Sequence, residues 1–504
     1  AVPPDDPRLT GALAESPWAV FTVGATIPIA ILMGVVMRGG GGRQVAIATG
    51  IGLALLLLAL VGGRAVSQHA DLGPLFTLGK EPLAWAVILY GLAASILPVW
   101  LLLAPRDYLS TFVKLGTVGL LAAGILAVRP DLHMPALTPF VDGSGPVFGG
   151  KVFPFCFITI ACGAISGFHA LIASGTTPKL LSRETDARMI GYGAMLLEAV
   201  VAILALVAAA SLPPGQYFAI NSRHSVEWIQ EQGFPVTSDE MRDLAERVGA
   251  RSVQGRVGGA PCLAVGMAEI FRRFLGGERF AGLWYHFAIM FEALFILTTL
   301  DAGTRVGRYL LQDALARAAP RLAGSEWGAT VVTSAVFAAA WGYFLYAGVL
   351  DPHGGVWILW PLFGIANQLL AATALTIAAT IFFRTGRGRW AWVPILPLAF
   401  VLATTFTAGF QKIFDPDPRI GFLAQAAVAG PGTIEAWNAR IDAAMAALFL
   451  VLVTAVVLSA ARQWVLALRG RIPIESEAEP PPGGGTGGPA FGEVPAIGGR
   501  NRCC

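Results

Sequence analysis

The run Ile160-Ala161-Cys162-Gly163-Ala164-Ile165-Ser166-Gly167-Phe168-His169-Ala170-Leu171, continuing to Ser174-Gly175-Thr176-Thr177-Pro178-Lys179, decides how this chain is read. It lies within 27 uncharged residues between Lys151 and Lys179. As one helix these would extend about 40 Å, well beyond the roughly 30 Å of hydrocarbon in a bilayer. Gly163 and Gly167 form a small-xxx-small pair, which lets a second backbone approach closely. Thr177 before Pro178 is a helix start, because proline is accepted at the first helical position. The expectation is a helix interrupted near 163–177, with a new one beginning at Pro178. Half-helix ends at membrane depth are where secondary transporters build substrate sites, the N-terminal end offering free N–H groups to carboxylates. The alternative is that the glycines only pack and a single tilted helix crosses.

Composition agrees with a membrane setting. Of 504 residues 55% are hydrophobic and only 13% charged, about half the charge of an ordinary soluble domain. The mean hydropathy is +0.65. A net charge of +3 excludes a nucleic-acid binder held by bulk charge, and five cysteines without paired spacing exclude a disulfide scaffold. Eleven stretches are apolar enough to span: 18–37, 44–63, 83–104, 108–128, 152–173, 189–211, 280–300, 327–350, 356–383, 390–411 and 442–461. The fold expected is all-α, a polytopic transmembrane helix bundle of about eleven spans. A twelfth segment, 258–275, counts only as a re-entrant or interfacial piece closed by Gly276-Gly277.

The organisation expected is an irregular 1–17 and a six-span region 18–211 with a broken helix at 152–178. An extracytoplasmic lobe with the re-entrant segment at 212–279 follows, then a five-span region 280–461 and a Pro/Gly-rich cytoplasmic tail 462–504. Basic residues gather in one set of alternate loops, which puts the N-terminus outside and the C-terminus in the cytoplasm. In the lobe, Thr237-Ser238-Asp239-Glu240 reads as a capping box ahead of an apolar face of Met241, Leu244, Ala245 and Val248. Residues 305–318 read as an amphipathic helix with Asp301 as its N-cap.

Polar groups inside apolar runs are the candidate functional residues, since ionisable side chains are costly there without a cavity or partner. His169 is either a neutral histidine bonded within the bundle or a proton carrier or ligand. Asn367-Gln368 lies in the uncharged run 355–383, 29 residues long. The pair either lines a pore or clasps another helix. Glu198 shares a small-residue face with Gly191, Ala194 and Met195 and is expected to point into the bundle. Glu292 sits mid-span in 280–300. Either carboxylate is a proton carrier or half of a structural ion pair, for instance with Lys114 or His169. Tyr285 and His286 read as aromatic-belt residues.

The substrate-binding set is therefore Ser166, Gly167, His169, Ser174, Gly175, Thr176, Thr177, Lys179, Asn367 and Gln368, with Glu198 and Glu292 coupling protons. The expected partners are membrane lipid, protons and a small-molecule substrate. Nucleic acid, cofactor and metal are not expected: there is no P-loop, no H-E-x-x-H and no G-x-S-x-G, and the nearest two histidines, His133 and His169, lie 36 residues apart. The rivals are an intramembrane hydrolase using Ser166 as nucleophile and His169 as base, and a sensor or scaffold that transports nothing.

Dispersed strings resemble the carbon starvation protein A family of peptide and pyruvate transporters, over roughly 12–465. They include Ala14-Glu15-Ser16-Pro17-Trp18, Leu103-Ala104-Pro105-Arg106-Asp107-Tyr108, the run 160–171, Leu300-Asp301-Ala302-Gly303-Thr304-Arg305 and Trp360-Pro361-Leu362-Phe363-Gly364-Ile365-Ala366-Asn367-Gln368. The resemblance implies proton-coupled uptake of peptides or small carboxylates such as pyruvate across the bacterial inner membrane when preferred carbon is scarce. It also implies kinship with the amino-acid/polyamine/organocation transporter superfamily and its broken helices. Family members carry further helices ahead of the Ala-Glu-Ser-Pro-Trp string, where this sequence has Ala1-Val2-Pro3-Pro4-Asp5-Asp6-Pro7. The chain thus reads as a member without its N-terminal portion, a non-functional remnant being the further alternative.

Overall fold

Proline at the first helical position and an uncharged run make Pro17–Met37 a helix, α1. In the computed structural model the described residues are 16–38, 41–147, 149–175, 181, 183–222, 224–315, 327–350 and 355–471. The chain continues through α2 (Gly42–Gln68), α3 (Lys80–Ile96) and α4 (Leu103–Val128), then three short helices, α5 (Val152–Thr159), α6 (Ala161–Ala164) and α7 (Gly167–Gly175). Next come α8 (Asp186–Ala210), α9 (Pro214–Asn221), α10 (Val226–Glu231), α11 (Ser238–Arg247), α12 (Ala260–Leu275), α13 (Ala281–Leu315) and α14 (Trp327–Leu350). The last four are α15 (Gly355–Arg384), α16 (Trp392–Phe414), α17 (Phe422–Ala429) and α18 (Ile434–Leu468).

No strand occurs among the described residues, and nine of the described helices are long and apolar enough to cross a membrane. The chain is an all-α, multi-pass membrane protein. Each of the eleven expected spans overlaps helix, though 83–104 runs past the end of α3 at Ile96 to the start of α4. Two are not among the nine: α3 has 17 residues, and the segment from Val152 to Gly175 is divided into α5, α6 and α7.

The helices group into two compact units that interleave along the chain. The first takes its described residues from Ala1–Leu137 and Gly191–Pro352, the second from Thr138–Ile190 and His353–Ala490. In the first, α13 packs against α1, α3, α4, α12 and α14. The α1–α2 contact is fixed by Trp18, whose Nε1 donates to the Leu60 carbonyl at 2.7 Å. The lobe helix α11 begins with the expected capping box. The Glu240 N–H donates to Thr237 Oγ1 and the Thr237 N–H to Glu240 Oε2, while Met241, Leu244, Ala245 and Val248 are buried. In the second unit α15 packs against α5, α7, α16 and α18, around a core that includes Phe155, Ile365, Leu369, Val401, Phe422 and Leu450.

Two expectations are corrected. Asp301 is not an N-cap: α13 runs unbroken for 35 residues, and Asp301 lies inside it at 1% exposure. Its buried ionic partners, invisible to local sequence rules, make a mid-helix aspartate tolerable there. Tyr285 and His286 are not in an aromatic belt. Both are buried, and His286 stacks on Trp18 with ring centroids 4.0 Å apart.

Candidate functional site

In the second unit the helix started by Val152 does not continue. It stops at Thr159, resumes for one turn at Ala161–Ala164, and restarts at Gly167. The interruption is confined to Ile160 and Ile165-Ser166, and most of the interval 163–177 read from sequence as irregular is helical, because the chain restarts at Gly167 as α7. The Ser166 hydroxyl caps the restart by accepting the His169 N–H at 3.2 Å.

Helix α15 splints this break from both sides. Upstream, Gln368 Nε2 donates to the Phe157 carbonyl at 2.9 Å, and its Oε1 accepts from Thr405 Oγ1 at 2.7 Å. Downstream, Asn367 Oδ1 accepts the Phe168 N–H at 2.8 Å and the Ser166 hydroxyl at 3.4 Å. Two glycines permit the approach. A Cβ at Gly364 would strike the Ile158 carbonyl, and one at Gly167 would strike the Asn367 carbonyl and Leu370. Gly163, the other half of the small-xxx-small pair, has open space around it. Asn367 and Gln368 are 2% and 3% exposed, and every polar atom of the two amides is accounted for except Asn367 Nδ2, which is buried without a partner.

Among the expected site residues, the structure brings together Ser166, Gly167, Asn367 and Gln368. His169 and Ser174 are exposed on α7. Ser174 Oγ returns to the Leu171 carbonyl, and His169 Nδ1 lies 3.9 Å from Cys162 Sγ. Gly175 ends α7, and the expected second start at Thr176, Thr177 and Lys179 lies outside the described residues. Ser166 Oγ accepts the His169 backbone N–H at 3.2 Å, and its hydroxyl donates to Asn367 Oδ1 at 3.4 Å. Beside the start of α5 a cavity of about 290 Å³ is lined by Asp142, Lys151, Phe155, Gln411, Asp417 and Arg419 among others. The Ser144 hydroxyl and N–H hold the Asp142 carboxyl below its usual range, and Arg419 does the same for Asp417.

The proton-carrier expectations separate. Glu198 is exposed on α8 rather than pointing into the bundle. Only Leu204 and Ala208 of that helix are buried, Ala208 where its carbonyl meets Gly266. A small-residue stripe does not say which turn of a helix is packed. Glu292 is half-buried on α13. Lys114 does not pair with it and reaches Thr298 Oγ1 at 3.4 Å instead, over the Phe295 ring.

The first unit holds a group of residues not anticipated as a site. Asp301 accepts the Tyr90 hydroxyl at 2.6 Å and lies 3.6 Å from Arg106, which also donates to Tyr90 and, at 3.2 Å, to Thr26. One turn on, Arg305 donates to the carbonyls of Ala94 and Leu97 at 2.6 and 2.7 Å, and a turn further Arg308 donates to that of Ser95 at 2.9 Å. These carbonyls end α3 and have no helical partner, so two guanidiniums cap a buried helix end. The signal was present in the sequence as a polar stripe, Thr298, Asp301, Arg305, Arg308 and Gln312, at alternating steps of three and four. Arg106, Arg305 and Arg308 lie on helices in the packed interior of this unit.

A family model described as Carbon starvation protein CstA matches residues 9–408. The chain belongs to that family. It is 47% identical over 503 residues to the peptide transporter CstA of Escherichia coli K12, covering 94% of this chain and 72% of that one. It is 50% identical over 432 residues to the peptide transporter CstA of Mycobacterium tuberculosis H37Rv, covering 82% of this chain and 57% of the relative. It is also similar to the pyruvate/proton symporter BtsT of Escherichia coli K12, 45% identical over 448 residues, 82% and 62% of the two chains. This CstA-family chain thus spans about three fifths of the length of most such relatives. No solved structure matches it.

Proposed function

We propose that this chain is a secondary active transporter taking up peptides or small carboxylates such as pyruvate by proton symport, in response to scarce carbon. It works in the bacterial cytoplasmic membrane with its N-terminus outside and its C-terminus inside. Relatives named as a peptide transporter and a pyruvate/proton symporter support the substrate class and the coupling ion. The positive-inside bias supports the orientation.

The observation that carries the reading is Asn367. Its Oδ1 holds open the interruption at Ser166-Gly167, and its Nδ2 is a buried donor with nothing to donate to. A substrate carboxylate at the start of α7 satisfies that donor, which costs the protein free energy while unpaired, and also meets the positive end of the α7 dipole. Gln368, bonded through its Nε2 to Phe157 and through its Oε1 to Thr405, positions the break rather than touching substrate. Glu292 carries the coupling proton. Glu198, exposed, is not part of this mechanism.

Uptake of labelled pyruvate and of labelled dipeptides into proteoliposomes, with and without an inward pH gradient, tests the reading. Gradient-dependent accumulation of either is expected. Absence of both, from protein that is folded in the bilayer, would sink it.

A further inference from the structure

The first unit carries a second carboxylate suited to coupling. Asp301 on α13 has one oxygen, Oδ2, held by Tyr90 and facing Arg106, while its Oδ1 is buried without a partner. Arg106 in turn donates to Tyr90 and Thr26, and its Nε is likewise unpaired. The chain of donors runs from Arg106 through the Tyr90 hydroxyl to Asp301, and it ties four helices, α1, α3, α4 and α13, at one point. Arg106 and Asp301 are each 1% exposed.

We propose that the Arg106–Asp301 pair is a protonation-released latch: it clamps α4 and α3 to α13 while Asp301 is ionised, and lets go when Asp301 itself takes up a proton during the transport cycle. This inference rests on the proton-coupled reading above. A buried ion pair is stable only while both charges and their hydrogen bonds are in place, and removal of one charge leaves the other uncompensated. Protonating Asp301 therefore removes the counter-charge of Arg106 and favours an arrangement in which the guanidinium finds other acceptors. Two-state packing of helices biased by one proton is the means by which a binding event becomes a conformational step.

The charged groups around Asp301 are few. Arg106 and Asp107 face it from α4, with Lys114 farther along that helix. Arg305 lies one turn away on α13, followed by Arg308, and both are committed to the α3 carbonyls. Tyr90 is the titratable group from α3. Helices α1 and α14 contribute no charged side chain. No other carboxylate is ion-paired with Arg106 among the described residues.

The test compares two assays in proteoliposomes for Asp301→Asn and for the double variant Arg106→Gln/Asp301→Asn, which removes both charges. Counterflow, the exchange of labelled for unlabelled pyruvate or dipeptide without a gradient, needs binding and conformational change but no net proton movement. The latch predicts that gradient-driven accumulation falls at least tenfold in both variants. Counterflow persists and loses the pH dependence of the wild type, and Asp301→Glu restores part of the accumulation. Wild-type accumulation, or wild-type pH dependence of counterflow, in either folded variant overturns the latch and leaves the transport reading standing. Loss of counterflow together with accumulation in the folded double variant also overturns it, since that pair then serves structure or binding. If the single variant does not fold, the double variant decides. A wild-type protein with neither activity fails the transport reading itself.

Discussion

Asn367 Oδ1 accepts the backbone N–H of Phe168 at 2.8 Å, across 199 residues of sequence. A side chain from one helix thereby supplies the cap that lets another helix restart within an apolar run.

Replacing Asn367 separates its two roles. Asn367→Leu leaves the Phe168 N–H buried and unpaired, at a cost of about 1–3 kcal/mol, and the thermal midpoint in detergent should fall. Asn367→Asp keeps the acceptor and removes the Nδ2 donor. Its midpoint should also fall, because a carboxyl is costly at a site 2% exposed, while the Phe168 contact is kept and the KM for uptake rises about tenfold or more. Equal KM values in wild type and Asn367→Asp would remove this amide from the substrate site.

The glycines should differ sharply. Gly167→Ala and Gly364→Ala each force a methyl into the backbone of the facing helix, and overpacking of this kind costs about 1–3 kcal/mol. Gly163→Ala meets nothing within 4 Å and should be neutral or slightly stabilising. Thermal unfolding of the three variants checks the order, and an equal effect at all three would contradict the splint.

The capping arginines are expected to matter more than their surface counterparts. Arg305→Ala strands the Ala94 and Leu97 carbonyls, and hydrogen bonds to charged groups are worth about 1.5–3 kcal/mol. Arg43, exposed near the start of α2, should cost within about 0.5 kcal/mol when changed to alanine. Detergent-solubilised midpoints of the two variants provide the comparison.

The carboxylates provide a fourth contrast. Glu292→Gln removes a half-buried group that can exchange a proton and should abolish gradient-driven accumulation with substrate binding retained. Glu198→Gln changes an exposed side chain and should leave uptake within twofold of wild type. The reverse pattern would return the coupling role to α8.

Much of this arrangement was legible before the structure. The surplus length between Lys151 and Lys179 pointed to either an interruption or a strongly tilted helix, because rise per residue and bilayer thickness are fixed, and the glycine-serine run marked where an interruption could fall. Runs of apolar residues located every spanning helix, and the Thr237–Glu240 spacing located the start of α11, since capping is a local property. The Asp301 cluster was missed because its partners, Tyr90 and Arg106, lie about 200 residues away in sequence and only packing joins them. Local rules offered only a cap for Asp301. Glu198 misled for a related reason: small residues on one face permit packing, but a neighbour has to be there. Gln368 and Asn367 were singled out as a pair, yet only the structure shows that one is wholly committed to the fold and the other keeps a donor in reserve.

The central claim, proton symport, is tested most directly by trapping a pH-sensitive dye inside proteoliposomes and adding pyruvate or a dipeptide outside, with no gradient imposed. The account predicts acidification of the lumen that begins on substrate addition, saturates with substrate and is absent in Glu292→Gln. Substrate accumulation with no movement of protons would contradict it.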